Sequence, residues 1–148
     1  MNTILNECRT LYLDRLFYSE SLELYVSEGF ISDEKHSIQV GGTTIENVQP
    51  MGRREFSRQY KVEFQFHDLI NFQVINESYT GLVKSEIVDT KGFLQIILNS
   101  EYLKYVEISH GWYKIANGGK EGKHYRLWTE DEVIDIISIN DPTVEQIK

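Results

Sequence analysis

Apolar positions open the chain at three- and four-residue steps. Ile4, Leu5, Cys8, Leu11, Tyr12, Leu16 and Leu22 recur in this way, with Arg15 and Ser19 on the same steps and Asp14 and Glu20 between them. That spacing is the period of an amphipathic helix. It predicts a helix over residues 3–28, stopped by Gly29. The helical period is clean to Tyr18 and mixed beyond it, because Leu22, Leu24 and Val26 alternate with Glu23 and Tyr25, the period of a strand.

The rest of the chain reads mainly as strands. Residues 37–40 and 43–46 flank Gly41-Gly42, a hairpin signature in which both turn residues can take positive φ. A polar connection over residues 49–54 holds Pro50 and Gly52. Tyr60, Val62, Phe64 and Phe66 alternate with Lys61, Glu63 and Gln65, a strand with one face inward. Residues 71–79 give a second strand, joined to the first by a turn at His67-Asp68. Val83–Val88 adds a further strand, and the apolar run Phe93–Leu98 a buried one.

Asn99 or Ser100 can cap a short helix running to Glu107 with Leu103 and Val106 on one side. His110–Ile115 reads as extended, residues 117–123 as a glycine-rich loop, and Tyr125–Trp128 as a strand. Thr129-Glu-Asp-Glu132 fits a capping box, but Val133–Ile139 holds five β-branched residues in seven and favours a strand. Thr129–Glu132 is therefore read as a turn between two strands. Asp141-Pro142 ends the sheet and the last six residues form a tail. No repeat or linker divides residues 1–148. The expected fold is one α+β domain, an N-terminal helix packed on a mainly antiparallel sheet with one further short helix.

Composition sharpens this picture. With 148 residues, 41% hydrophobic and 26% charged, the chain is long enough for a core without staples. Fifteen basic residues against 23 acidic ones leave a net charge of −8, which argues against nucleic acid or an anionic membrane and favours a basic protein partner. Nine Tyr, seven Phe and two Trp supply contact surface. Cys8 is the only cysteine, so an intrachain disulfide is impossible and a buried structural thiol is the expectation. There is no apolar leader and no run of eighteen apolar residues, so a cytoplasmic location is expected.

Candidate chemistry is sparse. His36, His67, His110 and His124 form no HxH or HExxH pair. Gly118–Lys123 lacks the spacing of a phosphate loop, since Lys123 is followed by His124. Glu121-Gly-Lys123 has the Glu-x-Lys form of metal-dependent nucleases, which also need an upstream acid, for which Asp89 or Glu86 can be nominated; a three-residue match of this kind carries little weight. Basic clusters occur at Arg53, Arg54, Arg58 and Lys61 around Glu55, and at Lys114, Lys120, Lys123 and Arg126 around Glu121. Such runs are ordinarily solvated faces or protected strand edges. Acidic segments lie at Glu20–Glu34, including Asp33, and from Glu130 onward, interleaved with Tyr25, Phe30 and Trp128. There is no Gly-x-Ser-x-Gly elbow. No catalytic residue, cofactor or metal ligand is assigned.

Tyr60–Thr80 with Phe72–Tyr79, Ser100-Glu-Tyr-Leu103, and Lys123–Trp128 followed by Ile134-Asp-Ile-Ile-Ser138 together resemble small uncharacterised bacterial proteins. Proteins of that kind are similar in size and character to immunity proteins of bacterial toxin systems. The resemblance implies no catalytic motif. The expected function is a cytoplasmic, immunity- or antitoxin-like binding protein that occludes a basic protein partner, with Tyr25, Glu28, Trp128, Glu130 and Asp131 as contacts. The alternative is a small enzyme or ligand-binding domain around His67, His110 and His124 with Glu77 or Tyr79. A third possibility is a homo-oligomer, whose sign would be an exposed apolar patch on an edge strand.

Overall fold

The computed structural model describes residues 3–32, 34–49, 51–53 and 57–148. In chain order the strands are β1 (Leu11–Tyr18), β2 (Ser21–Ile31), β3 (His36–Val40), β4 (Thr43–Val48), β5 (Met51–Arg53), β6 (Gln59–Gln65), β7 (Leu69–Asn76), β8 (Ile87–Val88) and β9 (Leu94–Leu98). Two helices follow, α1 (Glu101–His110) and α2 (Trp112–Ala116), and then β10 (Lys123–Trp128), β11 (Glu132–Ser138) and β12 (Thr143–Gln146). Half of the described residues are in strands and 16% are helical. The expected α+β fold with an N-terminal helix is therefore incorrect. Among the described residues the fold is mostly β, built from three antiparallel sheets.

The N-terminal error has a specific cause. Only Ile4–Glu7 forms a helical turn, and it is 3-10. From Leu11 the chain is strand, paired antiparallel with β2, and a bulge falls between Leu13 and Arg15. On one side of the bulge Leu13 faces Val26; on the other Leu16 faces Leu24. The extra residue moves the inward set from Leu11 and Leu13 to Leu16, so a two-residue period with one insertion imitates a helical step. Ser27 donates to the carboxylate of the bulged Asp14 at 2.9 Å. Gly29 is no helix stop. It lies within β2, where a Cβ would come within 2.4 Å of Thr10 Cγ2 and 2.6 Å of the Tyr12 ring.

One five-stranded sheet has the order β1-β2-β6-β12, with β5 paired to the end of β2. The other has the order β7-β11-β10-β9-β8, and β3-β4 is a separate exposed hairpin turning at Gly41-Gly42, both with positive φ. The expected tail is strand β12, which pairs with β6 through Thr143–Gln146. His110–Ile115, expected to be extended, is helical instead: His110 ends α1 and Trp112–Ile115 lie in α2, joined by Gly111. Pro50, Arg54, Glu55 and Asp33, which entered the reading of the connection and of the charge clusters, lie outside the described residues.

The two large sheets share one core. Leu22, Leu24, Val26, Val62 and Phe64 of the first pack against Leu94, Tyr125, Leu127, Ile134 and Ile136 of the second. Each such side chain stabilises the fold by about 1.5–3 kcal/mol relative to exposure. Phe64 and Tyr125 meet edge to face with ring centroids 5.3 Å apart. β11 is buried on both faces, from Val133 to Ser138. One face looks into the sandwich and the other lies towards α1, whose Val106 is fully buried. The β-branched run that made β11 legible as a strand is thus also what a doubly buried strand requires. Burial pushes the Cys8 thiol up, as expected of a structural cysteine.

Candidate functional site

The outer face of the first sheet carries the residues that alternate with the core. Glu23 and Tyr25 on β2 stand opposite Glu63 and Lys61 on β6, while Phe17 and Arg15 on β1 stand opposite Glu23 and Tyr25. A groove of about 670 Å³ opens here, lined among others by Phe17, Glu20, Glu23, Glu63, Phe66 and His67. Phe17 and Phe66 are each 52% exposed. Glu23 and Glu63 are directly opposed like charges, an arrangement that destabilises a strand pair.

The face is only partly neutralised. Lys61 bridges Glu63 at 3.1 Å and Glu145 at 2.9 Å, and Ser21 donates to Glu63 at 3.0 Å. The hydrogen bond from Lys61 and then that from Ser21 hold the Glu63 carboxyl below its ordinary range. Glu23 accepts from the Tyr25 hydroxyl at 2.6 Å. The Arg15 guanidinium lies 4.2 Å above the Tyr25 ring, a cation–π contact. The carboxylates Glu20, Glu23, Glu63 and Glu145 outnumber Arg15 and Lys61 here, so the groove is acidic.

Of the five expected contact residues, Tyr25 belongs to this face. Glu28 is taken up by Arg58, which donates through Nε at 2.7 Å and Nη2 at 3.1 Å. Trp128 sits on the outer side of the second sheet, its indole donating to Gln95 at 3.0 Å. Glu130 accepts from the Thr10 hydroxyl, and its N–H donates to the Leu11 carbonyl at 2.8 Å, so it ties the β10–β11 turn to the first sheet. Asp131 is exposed on the same turn. Trp128, Glu130 and Asp131 are thus neighbours in the chain, while Tyr25 and Trp128 occupy opposite outer faces of the sandwich and do not share a contact patch.

The second sheet holds a constellation the sequence did not reveal. Gln73, Asp135, Arg126 and Gln95 form one row across β7, β11, β10 and β9. Asp135 accepts four hydrogen bonds. Its Oδ1 takes His124 Nε2 at 2.8 Å and Arg126 Nε at 2.7 Å, and its Oδ2 takes Gln73 at 3.2 Å and Arg126 Nη2 at 3.4 Å. Burial works against the charge most strongly, but the bonds from His124 and Arg126 outweigh it and hold the carboxyl down to about 2. Arg126 Nη1 reaches Glu86 at 3.2 Å.

On the other ring nitrogen, His124 Nδ1 meets Ser100 Oγ at 2.6 Å. Ser100, His124 and Asp135 are each under 4% exposed, although Ser100 and His124 border a pocket of about 420 Å³. A Ser–His–Asp chain suggests a nucleophile. Here, however, the serine oxygen also accepts the Leu103 N–H at 2.9 Å as the N-cap of α1. With Nε2–H given to Asp135 and the serine hydrogen given to Nδ1, the chain closes with every one of these groups satisfied. It is a joint between helix and sheet. Its signal in the sequence is a lone acid in an apolar β-branched run, Asp135, with His124 and Arg126 alternating on the adjacent strand.

The three histidines of the alternative reading are not gathered. His124 borders this pocket, His67 borders the groove on the first sheet, and His110 is exposed at the end of α1. Tyr79 is exposed and Glu77 lies in the 3-10 turn after β7. Among the described residues no group of three His, Cys, Asp or Glu could hold a metal ion, and no helix is long and apolar enough to cross a membrane. Comparison with protein-family models, with curated proteins and with solved structures gives no match.

Proposed function

We propose that the protein is an immunity- or antitoxin-like binding protein of the cytoplasm, which occludes a basic protein partner on the outer face of its first sheet. The observation that carries this reading is the Glu23–Glu63 pair, opposed across β2 and β6 beside a groove flanked by exposed Phe17 and Phe66. An arriving guanidinium or ammonium would relieve the carboxylate repulsion. It would also lie against aromatic rings, a contact worth about 0.5–2 kcal/mol. The net charge of −8 accelerates such an encounter.

The test is capture from the native host at low and moderate salt, comparing the wild type with Glu23→Gln/Glu63→Gln. One stoichiometric basic protein, held by the wild type and lost in the variant, supports the reading. Equal retention by both, or capture by neither, removes it.

A further inference from the structure

α1 and α2 carry four large side chains on the solvent side: Tyr105, Ile108, Trp112 and Ile115 are 60%, 87%, 74% and 68% exposed. Isolated exposed apolar residues are commonplace, but a stripe at helical spacing is not. Gly111 joins the two helices with φ −61 and ψ −8, in the right-handed region, so the stripe passes from one to the other. A Cβ at Gly111 would come within 2.4 Å of the Glu107 carbonyl, so the close join depends on glycine.

The steps along the stripe are three, four and three residues, which read the same from either end. Turned about a two-fold axis beside position 110, Trp112 falls opposite Ile108 and Ile115 opposite Tyr105. Each pair sets an aromatic ring against a branched aliphatic chain. Beside the stripe Glu107 bridges Lys114 at 2.9 Å and Glu101 bridges Lys104 at 3.0 Å within the one chain, so the charges that flank it are already paired. Residues 101–116 hold two acids, Glu101 and Glu107, and two lysines, Lys104 and Lys114, so this segment is neutral in a chain of net charge −8. A basic partner finds no attraction here, and a second copy meets little repulsion.

We propose that this stripe is the interface of a two-fold dimer, a second copy of the chain being its occupant. The four side chains offer on the order of 600 Å² per copy, and the charged flanks bring this towards the roughly 800 Å² per partner of a standard interface. That area fits a reversible dimer.

Sedimentation of the purified protein alone, from about 1 µM to about 500 µM, tests the proposal without any partner. The expected result is a rise to twice the monomer mass with concentration. Ile108→Glu/Trp112→Glu should weaken self-association by about 100-fold or more, with an unchanged circular dichroism spectrum because both side chains are exposed. A wild type that stays monomeric throughout overturns the proposal, as does a dimer that survives the double substitution. So does a monomer that uses the stripe for a different protein, seen as loss of a captured partner in the double variant. Glu23 and Glu63 lie on the other sheet, so failure here leaves the basic-partner reading standing.

Discussion

The hydroxyl of Ser100 lies 2.6 Å from Nδ1 of His124, so the first turn of α1 is fastened to the middle strand of the second sheet. The same oxygen caps the helix through the Leu103 N–H. Ser100→Ala removes both bonds and leaves a buried ring nitrogen unpaired. A lost cap costs about 1 kcal/mol and an orphaned buried acceptor about 1–3 kcal/mol, so the expected loss is about 2–4 kcal/mol in urea unfolding. Because the hydroxyl is engaged on both sides, a fluorophosphonate reagent should leave Ser100 unmodified. Stoichiometric labelling there would show that the joint is an open nucleophile.

Asp135 predicts an acid-sensitive stability. Its carboxyl is held down to about 2 from an ordinary 3.8. A depressed carboxyl contributes stability that is present in full above its ordinary value and is lost as pH falls towards the folded value. The contribution is about 2 kcal/mol, lost between about pH 4 and pH 2. Asp135→Asn lacks this titration and should show a flatter acid limb when urea midpoints are followed down to about pH 2. At neutral pH the same variant loses about 3–5 kcal/mol, because Arg126 is then left buried beside Glu86 alone.

Gly29 predicts a steric effect within β2. A methyl group there meets Thr10, which is 1% exposed and has no room to retreat. Gly29→Ala should lower stability by about 1–3 kcal/mol through overpacking. Gly81, with nothing within 4 Å of a built Cβ, is the control. Gly81→Ala should change the urea midpoint by less than about 0.5 kcal/mol equivalent.

The C-terminal strand predicts that truncation is harmful. Ending the chain at Pro142 removes β12, the half-buried Val144 packed on the core, and the bonds by which the Gln59 N–H reaches the Lys148 carbonyl and the Ile147 N–H reaches the Gln59 carbonyl. The expected cost is about 2–4 kcal/mol. Light scattering should also show association, because β6 becomes an open edge. A truncated chain with the urea midpoint of the full one would mean that β12 adds nothing to the sheet.

Local signals were sufficient where one residue type answers one local demand. The two positive φ values at Gly41 and Gly42, the Ser100 cap, the alternation in β6 and the β-branched run of β11 are all of this kind. Each depends on neighbours in the chain, although the order of residues leaves Asn99 and Ser100 equal as the cap and carries the β6 alternation on to Phe66, one residue past the strand. The acidic balance and the aromatic surplus are likewise properties of the chain alone.

Tertiary structure decided the rest. The bulge at Asp14 exists because β1 must follow β2, and a one-residue insertion is invisible to a periodicity test that presumes an unbroken ladder. His110–Ile115 looked extended from its aromatic content, yet its continuation of α1 puts Trp112 and Ile115 into solvent, which no strand propensity anticipates. Glu23 and Glu63 lie forty residues apart and become opposed only through the β2–β6 register. Ser100, His124 and Asp135 come from α1, β10 and β11, and their bonds depend on side chains meeting across strands. Sequence patterning by itself determined which segments alternate and where turns are affordable, because those energies are local. Which strands pair, which charges oppose and which face stays bare were determined by packing, because those energies act between residues that the chain brings together only when it folds.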